Sequence, residues 1–386
     1  MPTTFEFATA QQIIFGTGKA NTILDHAKTL GERALVITGH SAQRVQTLIK
    51  SWQSSGLVAA TLQVTGEPTV AGVIEATATA REANCDVIIA IGGGSVIDTG
   101  KAVAALLANP GDPLDYLEVV GRGLPLQNAS IPLIAVPTTA GTGAEVTRNA
   151  VLSVPDKQVK VSLRSLTMLP RIALVDPELT YSMPPAVTAS TGLDALTQCI
   201  EPYVSCQANP LTDGIARQGI QAAASSLLRA YQNGADTQAR TSMALASLCG
   251  GLALANAKLG AVHGFAGVIG GMFPIPHGVV CATLLPHVMA TNVAAVTARA
   301  ADSVYRARFD HVAQWLTGEN NATAHDGVDW IHALCAKLDI PPLSAFGVTP
   351  ESFGEIIDKS KVASSMKGNP VVLSDLELRH ILDAAL

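Results

Sequence analysis

The sequence predicts two domains of different class: an α/β domain built on a parallel sheet over residues 1–185, and an all-α domain over residues 186–386. Three observations predict this. Short β-rich apolar runs alternate with longer Ala-rich segments from about residue 33 to 180, the pattern of βαβ units. Each run stops at Gly or Pro or closes the region. After Pro184 and Pro185 the texture changes: Ala, Leu, Ser and Gln dominate, and helical spacing continues nearly to Leu386.

The strand-like runs are 34–38, 87–91, 133–136 and 173–175, apolar on both faces, which suits a parallel sheet covered by helices on both sides. Residues 109–130 are rich in Pro, Gly and Asn and read as a surface excursion between two sheet strands. The stretch 259–297 holds no Asp, Glu, Lys or Arg, yet its glycines and prolines would leave backbone groups unpaired in lipid. It therefore reads as buried protein interior, with His263 and His277 inside it.

Composition narrows the function classes. With 386 residues and 48% hydrophobic content, each domain has material for a core. A net charge of -6 with 25 Lys and Arg gives no basic stripe for nucleic acid, and no membrane partner is expected. The N-terminus has no cationic start followed by an apolar run, so residence in the cytoplasm is the expectation. Six cysteines without CxxC pairing read as reduced and mostly buried.

The sharpest motif is IGGGSVIDTGK at 91–101, directly after a buried strand and leading into an Ala-rich helix. Its glycines let backbone approach an anion, and the following helix offers unpaired N–H groups and the positive end of its dipole. Taken alone, the triplet is equally a tight turn with Ser95 as N-cap. A second motif, VPTTAGTGAEVT at 136–147, also follows a strand; two such loops at the carboxyl ends of parallel strands make a nucleotide crevice.

Both motifs, in this order and spacing, closely resemble those of the iron-containing (group III) alcohol dehydrogenases, which share the dehydroquinate synthase-like fold. The resemblance runs from about Phe5 to beyond Pro286. It implies that Gly93, Gly94 and Ser95 line a pyrophosphate, that Asp98 supports the nicotinamide half, that Thr138, Thr139 and Thr142 contact phosphate or ribose, and that Lys160 stands on the coenzyme side. NAD-preferring relatives commonly carry Asp where this chain has Gly39. Without that carboxylate the repulsion of a 2′-phosphate is gone, and Ser41 and Arg44 are placed to reach it, so NADP is expected to be accepted alongside or ahead of NAD.

In the second domain, GLDALTQCIE at 192–201 reads as helix and puts residues 194 and 198 on one face. The resemblance implies an Asp-x-x-x-His pair joined by two later histidines on one divalent ion, here Asp194, Gln198, His263 and His277. A lone histidine in an apolar stretch is ordinarily a satisfied core residue; the family context makes these two ligands. Asp194, His263 and His277 form a one-carboxylate, two-imidazole set suited to Fe²⁺ or Zn²⁺. Glycine follows each histidine and is expected to keep its surroundings open.

Two departures stand out. Gln198 replaces the family histidine with a neutral, weaker donor, so the site either holds metal more loosely, binds it through a water, or has lost it. Gly267 stands where many relatives place a further histidine near the substrate. Cys199, beside Gln198, is expected to face away from the metal.

The resulting expectation is NAD(P)-dependent alcohol oxidation or aldehyde reduction on a small-molecule substrate. The ion polarises the alcohol oxygen, and hydride passes to a nicotinamide held across the interdomain cleft. The alternatives are reduction of an oxoacid of the maleylacetate type with Arg148 as carboxylate anchor, a dehydroquinate-synthase-like lyase, and a degenerate, non-catalytic relative. A homodimer or higher homo-oligomer is expected by resemblance, with the segment 5–15 pairing between subunits.

Overall fold

Six consecutive residues, VIIAIG, are buried at every position of the strand Val87–Gly92, a burial pattern that only a sheet covered on both faces allows. The computed structural model describes residues 4–39, 43–118, 120–157 and 159–386. Ser41 lies outside these, as does the side chain of Arg44. The described residues form two compact units, one within 8–139 and 143–182 and one within 4–7, 140–142 and 183–386.

The first unit carries strands β1 (Gln12–Phe15), β2 (Ala34–Thr38), β3 (Val58–Gln63), β4 (Val87–Gly92), β5 (Leu133–Pro137), β6 (Asn149–Val154), β7 (Val159–Arg164) and β8 (Ile172–Val175). Six of them form one sheet in the order β1-β8-β5-β4-β2-β3, and every pairing in it is parallel. Its helices are α1 (Ile23–Lys28), α2 (Gln43–Gln53), α3 (Val70–Glu82) and α4 (Gly94–Ala108). Apolar clusters cover both faces: Leu35, Ile37 and Ile88 face one side, and Val36, Ile89 and Val136 the other. The expected α/β class with a parallel sheet is thus observed.

The sequence reading missed β1 and β3, because mixed polar residues on these edge strands break the apolar run. It also missed the antiparallel pair β6–β7. Residues 109–130 form a loop region containing one 3-10 turn, Pro113–Tyr116, and they lead from α4 to β5.

The second unit contains α5 (Pro185–Val204), α6 (Pro210–Gln232), α7 (Thr237–Asn256), α8 (Ala261–Met272), α9 (His277–Arg299), α10 (Val304–Thr317), α11 (Ala324–Lys337), α12 (Phe353–Val362) and α13 (Asp375–Ala384). Pro185 opens α5 at a position where its missing N–H costs nothing. Every residue from Gly192 to Val204 is buried, so α5 is a central helix, packed against α6, α7, α9 and α10. By length and composition α9 would cross a bilayer, but 78% of its most apolar window is buried within the protein. That matches the reading of 259–297 as interior.

Candidate metal centre and coenzyme-binding turns

The register of the sheet places the two glycine-rich turns side by side. Gly92, the last residue of β4, pairs with Pro137, the last of β5, so IGGGSVIDTGK and VPTTAGTGAEVT leave the sheet at the same level. The Thr138 N–H donates to the Gly92 carbonyl at 2.9 Å and ties the turns together. Gly93, with extended backbone, is the N-cap of α4 and supplies no side-chain cap; Ser95 lies inside the helix. The first-turn N–H groups of α4 are therefore not capped by a side chain, and Gly93, Gly94 and Ser95 are half-buried.

Below the turn, α4 lies hard against the sheet. A Cβ on Gly100 would sit 2.7 Å from the Ala90 Cβ, too close for any side chain. Asp98 uses both carboxylate oxygens within the protein, one accepting from the Val151 N–H at 2.9 Å and one 3.1 Å from the Lys101 ammonium. Lys101 itself is fully buried and also donates to Thr147 Oγ1 and the Asn149 carbonyl. Burial pushes the Lys101 pKa down and Asp98 opposes that. Lys160, on β7, is paired with Glu67 at 2.6 Å. The Thr139 side chain lies beside Gly93, and Thr142 is half-buried in the second unit, where Gly141 presses against Thr191.

In the helical unit, three helices converge on one cluster. α5 supplies Asp194, α8 supplies His263 near its start, and α9 begins with His277. His263 Nε2 lies 3.3 Å and His277 Nε2 3.9 Å from Asp194 Oδ1. The cluster has a fourth member absent from the sequence reading: Cys281, one turn after His277, with Sγ 3.6 Å from His277 Nε2 and 3.8 Å from His263 Nε2. One ligand atom from each of Asp194, His263, His277 and Cys281 lies within 4.8 Å of all the others. Its sequence signal was the His-x-x-x-Cys spacing at 277 and 281, which puts both on one helix face.

Glu201 was also missed. Two turns after Asp194 on α5, its Oε1 accepts from the Val262 N–H at 2.7 Å and its Oε2 lies 2.7 Å from His263 Nδ1. With Nδ1–H donated to this carboxylate, loss of the second ring proton to a bound ion would leave a lone pair on Nε2 facing the cluster.

The site is deeply buried, with Asp194 1% exposed, while the His277 side chain is 36% exposed and opens it to small molecules. Burial would push the Asp194 carboxyl up, but His263, the charge of His277 and the Gln198 amide hold it down at about 2. Burial opposes a charge on His263, yet Cys281, Asp194 and Glu201 around the ring raise its pKa well above the usual imidazole value. Burial pushes the Cys281 thiol up to about 12 in the metal-free protein.

Asp194 Oδ1 and Gln198 Oε1 are both buried without a hydrogen-bond partner. Orphaned acceptors cost about 1–3 kcal/mol each, and a cation held here would satisfy the carboxylate oxygen. The donor set therefore fits a divalent metal. Cys199 turns its sulfur toward the Ala246 carbonyl on α7, as expected.

The glycines after the histidines behave differently from expectation. A Cβ on Gly264 would meet Met366 Cε at 2.9 Å and one on Gly278 the Ser190 carbonyl oxygen at 2.9 Å, so they permit close packing rather than leave space. Gly267 is the open position, with no atom within 4 Å of where a Cβ would be.

Comparison with known proteins agrees across both units. Residues 10–177 match the iron-containing alcohol dehydrogenase family, and residues 188–386 match the C-terminal domain of the Fe-containing alcohol dehydrogenases. The chain belongs to the iron-containing alcohol dehydrogenase family. Like others of this family it is an oxidoreductase acting on CH–OH groups, which displaces the lyase alternative. Alcohol dehydrogenase 4 of Saccharomyces cerevisiae is 34% identical over 380 residues, covering 96% of each chain. Among solved structures, an alcohol dehydrogenase from Oenococcus oeni has a TM-score of 0.90 at 31% identity, covering 99% of this chain and 100% of that one. A sulfoacetaldehyde reductase from Bifidobacterium kashiwanohense, solved with NAD⁺, has a TM-score of 0.88 at 28% identity, covering 100% and 99%. Membership in this family implies a nicotinamide coenzyme and a divalent metal.

Proposed function

We propose that this family member is an NAD(P)-dependent alcohol dehydrogenase and aldehyde reductase for small molecules, with a divalent ion held by Asp194, His263 and His277. The observation that carries this is the convergence of one carboxylate and two imidazoles from three helices, with both ring nitrogens within 3.9 Å of the buried Asp194 Oδ1. A bound ion there supplies Lewis acidity to the alcohol oxygen, and the coenzyme supplies the hydride-accepting carbon.

The chain's own residues position and exclude. Asp194, buried and ionised, provides the fixed negative charge. Glu201 orients His263, and the apolar walls of α5, α8 and α9 keep bulk water from the buried side. In the first unit the uncapped start of α4, with Gly93, Gly94 and Ser95, would take the pyrophosphate, and Thr138 and Thr139 stand on the neighbouring turn. Thr142 and Lys160 are assigned to the same coenzyme. Asp98 is assigned to the nicotinamide half of the coenzyme, and its bond from the Val151 N–H also ties α4 to β6.

Gly39 carries no carboxylate to repel a 2′-phosphate, so NADP is accepted alongside NAD. A Cβ at Gly39 would lie 3.2 Å from Val96 Cγ2, so Gly39→Asp needs only a small adjustment. That variant should shift the ratio of kcat/KM values toward NAD by about tenfold or more; an unchanged ratio in steady-state kinetics refutes the assignment. We also infer a homo-oligomer in the cytoplasm, with the edge strand β1 and the exposed Phe5 at the pairing face.

The deciding experiment is elemental analysis of protein purified without chelator, with alcohol oxidation followed before and after metal stripping. One divalent ion per chain and loss of activity on stripping are expected. Full activity in metal-free protein overturns the proposal.

A further inference from the structure

We infer that Cys281 is a thiolate ligand of the metal, making an Asp194-His263-His277-Cys281 set that is built for zinc. The inference rests on the metal site proposed above and adds a donor of different chemistry to it. Gln198 has taken a strong donor away from α5, and Cys281 places another on α9, one turn from His277.

The distances carry the argument. A tetrahedral ion about 2.3 Å from sulfur and about 2.05 Å from nitrogen or oxygen holds S and N about 3.6 Å apart and N and O about 3.3 Å apart. The corresponding separations are 3.6 and 3.8 Å from Cys281 Sγ to the two imidazole nitrogens, and 3.3 Å from His263 Nε2 to Asp194 Oδ1. The His277–Asp194 edge, at 3.9 Å, is the longer one and belongs to the most exposed of the four side chains. Cys281 puts its sulfur against two ring nitrogens, of which one, His263 Nε2, is fixed in direction by Glu201.

The second observation is independent of the cysteine. Asp194 Oδ1 is buried, makes no well-formed hydrogen bond, and faces the two imidazole nitrogens of the same cluster at 3.3 and 3.9 Å. A cation shared by the carboxylate and the sulfur satisfies both. As the metal–sulfur bond forms, the thiol proton leaves to solvent, so no redox partner is needed. Thiolate with imidazole and carboxylate is a zinc donor set, and a thiolate weakens the case for iron that the family's name suggests. His277, the most exposed of the four, marks the side from which a substrate oxygen would reach a bound ion.

The test uses the full-length protein, made metal-free and reloaded with Co²⁺, and in parallel with Zn²⁺. One equivalent of Co²⁺ should produce a near-ultraviolet thiolate-to-cobalt charge-transfer band. X-ray absorption of the zinc protein should show one sulfur scatterer at about 2.3 Å. Cys281→Ser should abolish the band and weaken zinc binding by more than about 100-fold, beyond what loss of an outer partner gives.

The absorption measurement on the unaltered protein needs no variant, so a poorly folding C281S does not blunt the test. One bound metal with nitrogen and oxygen neighbours only would overturn the thiolate inference and leave the proposed function standing. No metal bound together with full activity would overturn both.

Discussion

At the scale of single residues, the candidate site is governed by partners that spacing along the chain does not reveal. Glu201 is the clearest case. It accepts from His263 Nδ1 and from the Val262 N–H, and so fixes both a ring and the start of a helix. Glu201→Gln should leave the fold intact and lower metal affinity about 10–100-fold, measured by chelator competition; unchanged affinity would show that His263 is oriented by packing alone.

Glu145 in the first unit makes a separate prediction. Burial pushes its pKa up from 4.5 to about 7, while its backbone hydrogen bond and Lys101 oppose this. Between these two values the folded chain holds a proton that the unfolded chain has lost, so stability falls as pH rises through this window. The full loss is roughly 3 kcal/mol. Glu145→Gln should flatten the pH dependence of the melting temperature between about pH 4.5 and about pH 7 relative to the parent. Parallel curves for the two proteins would remove Glu145 as the cause.

At the scale of elements, legibility followed burial. The strands buried on both faces, β2, β4, β5 and β8, stood out as uninterrupted apolar runs. The edges β1 and β3 did not, because a strand wet on one side mixes polar residues into a short run. The hairpin β6–β7 was hidden for the same reason, its buried positions alternating with exposed and half-buried ones.

The glycines of IGGGSVIDTGK were legible as a turn, while the role of Gly100 needed the sheet beneath it. Gly100→Val should overpack the α4–β4 contact, destabilise by about 1–3 kcal/mol and weaken coenzyme binding. Urea denaturation with coenzyme titration checks both effects. A wild-type midpoint would mean that α4 can lift from Ala90 without cost.

At the scale of the whole molecule, metal and fold are linked in the helical unit. An ion that binds only the native state adds about 2.7 kcal/mol at a hundredfold excess over its Kd. In a unit of this size that corresponds to a rise in melting temperature of at least about 5 °C. Calorimetry of stripped and zinc-loaded protein should show that shift in the transition of the helical unit. A shift confined to the other unit would place the ion elsewhere.

The sequence by itself determined the α/β and all-α classes and the glycine turns after β4 and β5, from short-range signals: apolar runs and a turn after a strand. The set Asp194, His263 and His277 came from the resemblance to a family, since no local spacing joins the two histidines to α5. Only the tertiary structure decided that Cys281 and Glu201 belong to the cluster, that Gly264 and Gly278 serve packing, and that Gly267 is the open position. The reason is geometric. Helical periodicity says which residues share a face, but which faces meet is set by how α5, α8 and α9 pack in the core, and that information is spread over the whole helical unit.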